Sequence, residues 1–357
     1  MNPTPPTASP LHFPMNSPLD RRAFVTGAAA FAASAALLRG AAPTAKPLRL
    51  GLISAATYGR NAPRTLGSHH GTAFATTFNG WDEAKAARWK GTFVKSRRRL
   101  DGAQVAVVWD PDLAAARQLA DVCGITRVAE TPEQACEGVD AVLIIDDGSG
   151  AQWKYAVHPL RRGVPVFCDK PVAMTAREAQ GIARLVRETR TPFLSASSLR
   201  FVPDIVKLRA ELPKLGSVHL ASAACGNELV YYGIHALSMI YAVLGGGAVS
   251  AVNVGRPGRN LVRLRFRDER DVLLTVADAQ WMRAGYEITL HGKKGWRTVT
   301  PDLANLYSYL LEAFLEQLRT GKEAVPIEEE VELITALEAG QRSLELGREV
   351  TLAEVMA

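Results

Sequence analysis

The chain is poor in the features that mark several large protein classes. Its 357 residues hold four cysteines, Cys123, Cys136, Cys168 and Cys225, and no two form a CxxC pair. That excludes a disulfide-stapled fold, a zinc ribbon and a thioredoxin-type redox motif, and leaves them as small buried residues. Aromatics make up only 7% and do not interleave with the one dense basic run, Lys95 to Arg99. A base-stacking nucleic-acid surface is therefore not expected, and the run reads as a solvated loop. There is no G-x-S-x-G, no H-E-x-x-H and no P-loop ending in Gly-Lys-Ser/Thr. His69 and His70 are adjacent, so a regular helix cannot aim both at one metal, and no metal site is assigned. What is present, 47% apolar and 22% charged residues, is the profile of a folded globular protein with length for about two domains.

The formal charge is +6, and residues 1–45 contribute Arg21, Arg22 and Arg39 to it against Asp20. Asp20-Arg21-Arg22 opens an uncharged, alanine-rich stretch of 16 residues, Ala23 to Leu38. Paired arginines before an apolar segment shorter than the roughly 20 residues of a membrane span read as a twin-arginine export signal. The machinery of that route is an expected partner and the periplasm the expected location.

From Leu48 the pattern becomes short apolar runs separated by helical stretches. Leu48 to Ile53, Gln104 to Trp109, Ala141 to Ile145, Val164 to Cys168 and Pro192 to Ser195 read as buried strands. Leu113 to Val122 and Ala176 to Glu188 read as helices, the second opened by a capping box of Thr175 and Glu178. Strands alternating with helices predict a doubly wound parallel sheet that binds ligands at its carboxyl ends. After the first strand, Ser54, Ala56 and Gly59 stand where a dinucleotide-binding fold carries G-x-G-x-x-G, and only the third glycine is kept. A helix is expected near Gly71 to Phe78, followed by an inserted loop from Gly80 to Arg99. Asp110, ending the second strand, suits either an adenosine ribose or the N-cap of the helix behind Pro111. Asp146 and Asp147, ending a later strand, suit either a turn before Gly148 or a ligand in the cleft.

The run Val164-Pro165-Val166-Phe167-Cys168-Asp169-Lys170-Pro171-Val172-Ala173-Met174-Thr175 resembles the Glu-Lys-Pro motif of the glucose-fructose oxidoreductase, inositol dehydrogenase and MocA family (Gfo/Idh/MocA). The likeness extends to Asp110-Pro111-Asp112, Ser198-Leu199-Arg200-Phe201 and Tyr231-Tyr232-Gly233-Ile234-His235. It closes with Leu311-Glu312-Ala313-Phe314 through Gly321 and Pro326-Ile327-Glu328. The resemblance implies a nucleotide-binding domain, then an α/β domain with an open, mostly antiparallel sheet that often supports homo-oligomers. Alternation in Val262 to Phe266, with Val272 to Ala277 and Tyr286 to Leu290 following, agrees with such a meander. The resemblance also implies NAD or NADP as cofactor, with Asp169, Lys170 and Arg200 near it. Lys170 takes the place of the family's lysine beside nicotinamide and carbinol, and His235 that of its catalytic or substrate-holding histidine. The chain departs from the pattern at Asp169, where the family has Glu, and at Tyr231 and Ser238, where aspartates stand around the histidine. Tyr231 is a candidate proton donor in place of the first.

The resulting expectation is α/β: a Rossmann-type domain over 46–197 behind a leader of 1–45, and a substrate and oligomerisation domain over 198–357. The activity expected is an exported NAD(P)-dependent oxidoreductase on a sugar, polyol or sugar derivative, with tightly held cofactor. Two other readings stay open: hydrolysis or elimination of a glycoside through transient oxidation, and a non-catalytic carbohydrate-binding member of the family.

Overall fold

Six consecutive residues with four fully buried, Leu48–Ile53, form β1. The computed structural model describes residues 46–54, 57–58, 65–146, 150–283 and 285–357; the paired arginines, Ala56, Gly59 and Asp147 lie outside them. Behind β1 follow β2 (Thr57–Tyr58) and β3 (Thr65–Leu66), paired antiparallel. Then come α1 (His69–Asn79), α2 (Glu83–Ala86), β4 (Ala103–Trp109), α3 (Leu113–Cys123) and β5 (Arg127–Val128). β6 (Ala141–Ile144), α4 (Trp153–Arg161), β7 (Val166–Cys168), α5 (Ala176–Thr189) and β8 (Phe193–Leu194) complete this half. Six strands pair in parallel in the order β5-β4-β1-β6-β7-β8. Counted along the chain, that order is the 3-2-1-4-5-6 of a doubly wound sheet, so a crevice opens where the winding reverses, between β1 and β6.

Local chemistry sets the helix ends. Ser68 starts α1 by accepting from the Gly71 amide at 2.8 Å, and Gly80 stops it at φ 72°. Asp112, not Asp110, caps α3, because its carboxylate accepts from the amides of Ala114 and Ala115. Thr175 caps α5 as expected, but Glu178 returns to the Thr175 hydroxyl at 3.1 Å and not to its backbone, so the capping box is half formed. The segment from Gly80 to Arg99 contains α2 and is pinned at its far end. Arg98 pairs with Glu312 at 2.6 Å and its guanidinium stacks on Tyr309 at 4.9 Å. Lys95 pairs with Glu83. The basic run is thus anchored in part and not simply solvated.

The second half begins with α6 (Pro203–Leu215), β9 (Val218–Gly226) and α7 (Gly233–Leu244). It continues with β10 (Ala248–Asn253), β11 (Arg259–Phe266), β12 (Asp271–Ala277), β13 (Glu287–Gly292) and β14 (Gly295–Val299). The helices α8 (Leu306–Thr320) and α9 (Ile327–Leu346), then β15 (Val350–Thr351) and α10 (Leu352–Met356), end the chain. The sheet order is β14-β13-β9-β12-β11-β10-β15, antiparallel except for β9 with β12. In β11 every second residue is buried, which turns Val262, Leu264 and Phe266 inward and leaves Leu261, Arg263 and Arg265 outside. Both sheets belong to one unit spanning 47–357. Leu310, Leu311 and Phe314 of α8 share a core with Leu50, Phe74 and Phe167, so this late helix covers a face of the first sheet. Among the described residues no helix is long and apolar enough to cross a membrane.

One buried group opposes this packing. Glu330, in the first turn of α9, is fully buried, and neither carboxylate oxygen has a hydrogen-bond partner. Burial pushes its carboxyl up to about 8, the nearby Arg200 only partly offsetting it. An unfolded chain ionises this group near 4.5, so folding takes up a proton and its penalty grows as pH rises from about 4.5 to about 8. Glu330→Gln is expected to stabilise the protein by on the order of 3 kcal/mol at pH 9 and far less at pH 5. Thermal unfolding at the two pH values checks this, and an equal gain at both would contradict it.

Candidate functional site

The carboxyl ends of β1, β6 and β7 bring Ser54, Asp146, Asp169 and Lys170 to one crevice. Ser54 holds φ 58°, the left-handed backbone that glycine adopts freely, and donates its amide to the Trp109 carbonyl at 2.7 Å. The turn after β1 therefore keeps a glycine-like geometry without the glycine. Asp110, fully buried, serves this turn: its carboxylate accepts from the Thr57 hydroxyl at 2.9 Å, the Thr57 amide at 3.3 Å and the Asp112 amide at 2.9 Å. Neither sequence reading of Asp110 describes that role, which is to tie the loop after β1 to the loop after β4. Asp146 is 2% exposed at the end of β6.

Asp169 follows β7, its amide bonded to the Ile144 carbonyl at 2.8 Å. The next residue, Lys170, is 4% exposed and lies over two aromatic faces, its Nζ 4.7 Å from the Tyr231 ring centroid and 5.2 Å from that of Tyr232. Such stacking favours the ammonium form. His235, in the first turn of α7, packs edge-on against Tyr232 and Tyr286, and its Nδ1 is 2.7 Å from Ser197 Oγ. Burial, then the charges of Lys170 and His70, drive its imidazole well below the ordinary range, so it is neutral near pH 7. Tyr231 and His235 thus stand on one side of Lys170, presented by the second half of the chain, while the strand ends stand on the other.

Arg200 is placed differently. It pairs with Glu329 at 2.5 Å and donates to the Ser238 carbonyl at 3.4 Å. This ion pair ties α9 to the loop after β8. The four cysteines are buried. Burial pushes Cys123, Cys136 and Cys225 up to about 12 and Cys168 well above its usual value, so none is a thiolate at neutral pH. Among the described residues no cluster of three metal-ligating side chains forms.

Three participants were not visible in the sequence. His70 of α1 reaches Asp169 Oδ2 through Nδ1 at 2.6 Å. Ser197 holds His235, and Gln152 donates to the Lys170 carbonyl at 3.4 Å. Each lies at least 18 residues from its partner, beyond the reach of any local pattern. Several buried polar atoms lack a partner here: Asp169 Oδ1, Ser195 Oγ and Gln152 Oε1. Orphaned buried atoms at strand ends mark a place built for a polar guest.

A doubly wound parallel sheet followed by an open mixed sheet is an α/β arrangement whose first half has the strand order of dinucleotide-binding folds. A model of an oxidoreductase family with an NAD-binding Rossmann fold, Gfo/Idh/MocA, matches residues 66–196. The chain is 25% identical over 172 residues to the D-glucoside 3-dehydrogenase of Escherichia coli K12, covering 42% of this chain and 49% of that protein. It is 30% identical over 141 residues to the rhizopine catabolism protein MocA of Rhizobium meliloti, covering 38% and 44%. These matches span about half the length of the relatives or less. The scyllo-inositol dehydrogenase of Lactobacillus casei, solved with NAD(H) and scyllo-inositol, shares the fold at a TM-score of 0.68 and 15% identity, over 86% of this chain and all of that one.

Proposed function

We propose that the chain is an NAD(P)-dependent oxidoreductase acting on a sugar, polyol or sugar derivative. The observation that carries this reading is the placing of Lys170, neutral His235 and the unpartnered Asp169 Oδ1 around the carboxyl ends of the first sheet's strands. These groups fit a nicotinamide riboside. Asp169 Oδ1 is an acceptor for a ribose hydroxyl, and Ser195 Oγ and Gln152 Oε1 are suited to an amide or hydroxyl edge. Ser54 shapes the turn that would face the pyrophosphate, beside the amino end of α1.

When bound, the nicotinamide supplies the hydride acceptor or donor. The protein's own groups handle orientation and the proton. Lys170 meets the substrate hydroxyl from the aromatic floor of Tyr231 and Tyr232, where Nζ stabilises negative charge on oxygen and exchanges the proton. His235 orients the same hydroxyl through the nitrogen opposite Ser197, with its ring fixed by that bond. Tyr231 occupies the place of an aspartate, and its phenol is a second donor.

Denaturing the purified chain, leader removed, and analysing the supernatant by mass spectrometry tests the reading. Near-stoichiometric NAD or NADP is expected, and neither bound nucleotide nor affinity on titration would sink it. Two further expectations accompany it. The Arg21-Arg22 pair and the apolar stretch behind it support export of the folded, loaded protein to the periplasm, where free nicotinamide cofactor is scarce and tight holding is required. Arg21→Lys with Arg22→Lys should leave the protein in the cytoplasmic fraction, and unchanged periplasmic recovery would remove the export assignment. A homo-oligomer is supported by the outer face of the second sheet, where Leu220, Leu261, Leu273 and Trp296, each about half exposed or more, share one side through the strand register. Light scattering should find an assembly that Leu273→Glu weakens; a monomeric parent would end this proposal.

A further inference from the structure

The pair His70–Asp169 has a use that neither residue suggests alone. The two stand 99 positions apart and meet at 2.6 Å, Asp169 at 2% side-chain exposure and His70 at 16%. The His70 ring is fixed by packing, 4.8 Å from Tyr307 and 6.2 Å from Phe74. Asp169 Oδ1 has no hydrogen-bond partner, so Oδ2 and its contact with His70 carry most of the compensation of a buried charge. Burial pushes the Asp169 carboxyl up, but the His70 charge, the His70 hydrogen bond and Lys170 together hold it below the usual carboxylate range.

We propose that His70 is a positioning residue of the site: its imidazolium neutralises Asp169 and so sets the charge state of the adjacent Lys170. This rests on the reading of Lys170 as the proton-exchanging group of an oxidoreductase. A bare buried carboxylate next to a lysine locks the lysine as ammonium, because an opposite charge favours the charged form. An imidazolium on the far oxygen turns that carboxylate into half of a neutral pair, and Lys170 is then able to lose a proton as well as hold one.

Among the described residues, groups from several elements face the pair and Lys170. From α7 and the loop before it, Lys170 is faced by neutral His235 and by the rings of Tyr231 and Tyr232. From β9 it is faced by Cys225, and on the strand side the pair is faced by Cys168, both uncharged thiols. Glu330 also acts on Cys168, with its carboxyl pushed up to about 8, and the Tyr307 ring packs against His70 at a tilt. Asp146, the second buried carboxylate at the strand ends, acts on Cys168 as well.

The test uses the full chain labelled with 13C at lysine Cε and histidine Cε1, with the Lys170 signal assigned through Lys170→Arg. In His70→Gln the Lys170 titration midpoint should rise by about one pH unit. In Asp169→Asn, and in the double variant, it should lie at or below that of the parent. A Lys170 midpoint unmoved by His70→Gln overturns the proposal. Should that variant fail to fold, the parent decides: His70 must titrate above the ordinary histidine range near pH 6.5, and a neutral His70 at pH 7 overturns it equally. Because these signals are read without nucleotide or substrate, they stand or fall separately from nucleotide release. In turnover, a merely structural His70 would lower kcat at every pH, whereas the proposed role moves the acid limb of the pH profile upward.

Discussion

Two strands on opposite sides of β1, reached by connections that wind in opposite senses, create the constraint on which the site depends. Among the described residues no connection crosses the carboxyl end of β1, where Ser54 and Asp146 nevertheless lie buried. Everything brought to that crevice must be held from the side. Asp110 holds the loop after β1 and Gln152 the backbone of Lys170; Ser197 and the tyrosines before α7 come in from the second half of the chain. Three of the polar atoms held there, Asp169 Oδ1, Ser195 Oγ and Gln152 Oε1, are buried without a hydrogen-bond partner.

Charge at the crevice is arranged so that little of it is uncompensated. Lys170 rests on aromatic faces, Asp169 lies against an imidazole, His235 is kept neutral, and the thiols stay protonated. Where the family that the sequence resembles carries an aspartate, the chain has Tyr231, and a histidine and a carboxylate meet instead at His70 and Asp169.

Much of this architecture was legible beforehand and part was not. The strands at Leu48, Gln104 and Ala141 and the helices at Leu113 and Ala176 fell within a few residues of their observed ends, because buried parallel strands and capped amphipathic helices leave strong local signals. Lys170 and His235 stood out in the sequence only through its resemblance to the family's motifs. Asp110 suited either a cap or a ribose contact in the sequence; the cap is Asp112, and Asp110 bonds Thr57, 53 residues away. His70 carried no signal at all. Adjacent histidines look uninformative until the fold delivers a carboxylate from 99 residues downstream. Arg98, read as part of a solvated basic loop, gained its partner from the same kind of distance, at Glu312.

That last contact reaches further than the loop it fixes. Ser308 donates to the Arg98 carbonyl at 2.6 Å, and Phe314 closes the core over Phe167 at 5.8 Å. The first sheet therefore finishes one of its faces with a helix that is made more than a hundred residues after its last strand. During synthesis, Phe74 and Phe167 stay without their lid until α8 has left the ribosome. The half that carries the parallel sheet then matures only when almost the entire chain exists.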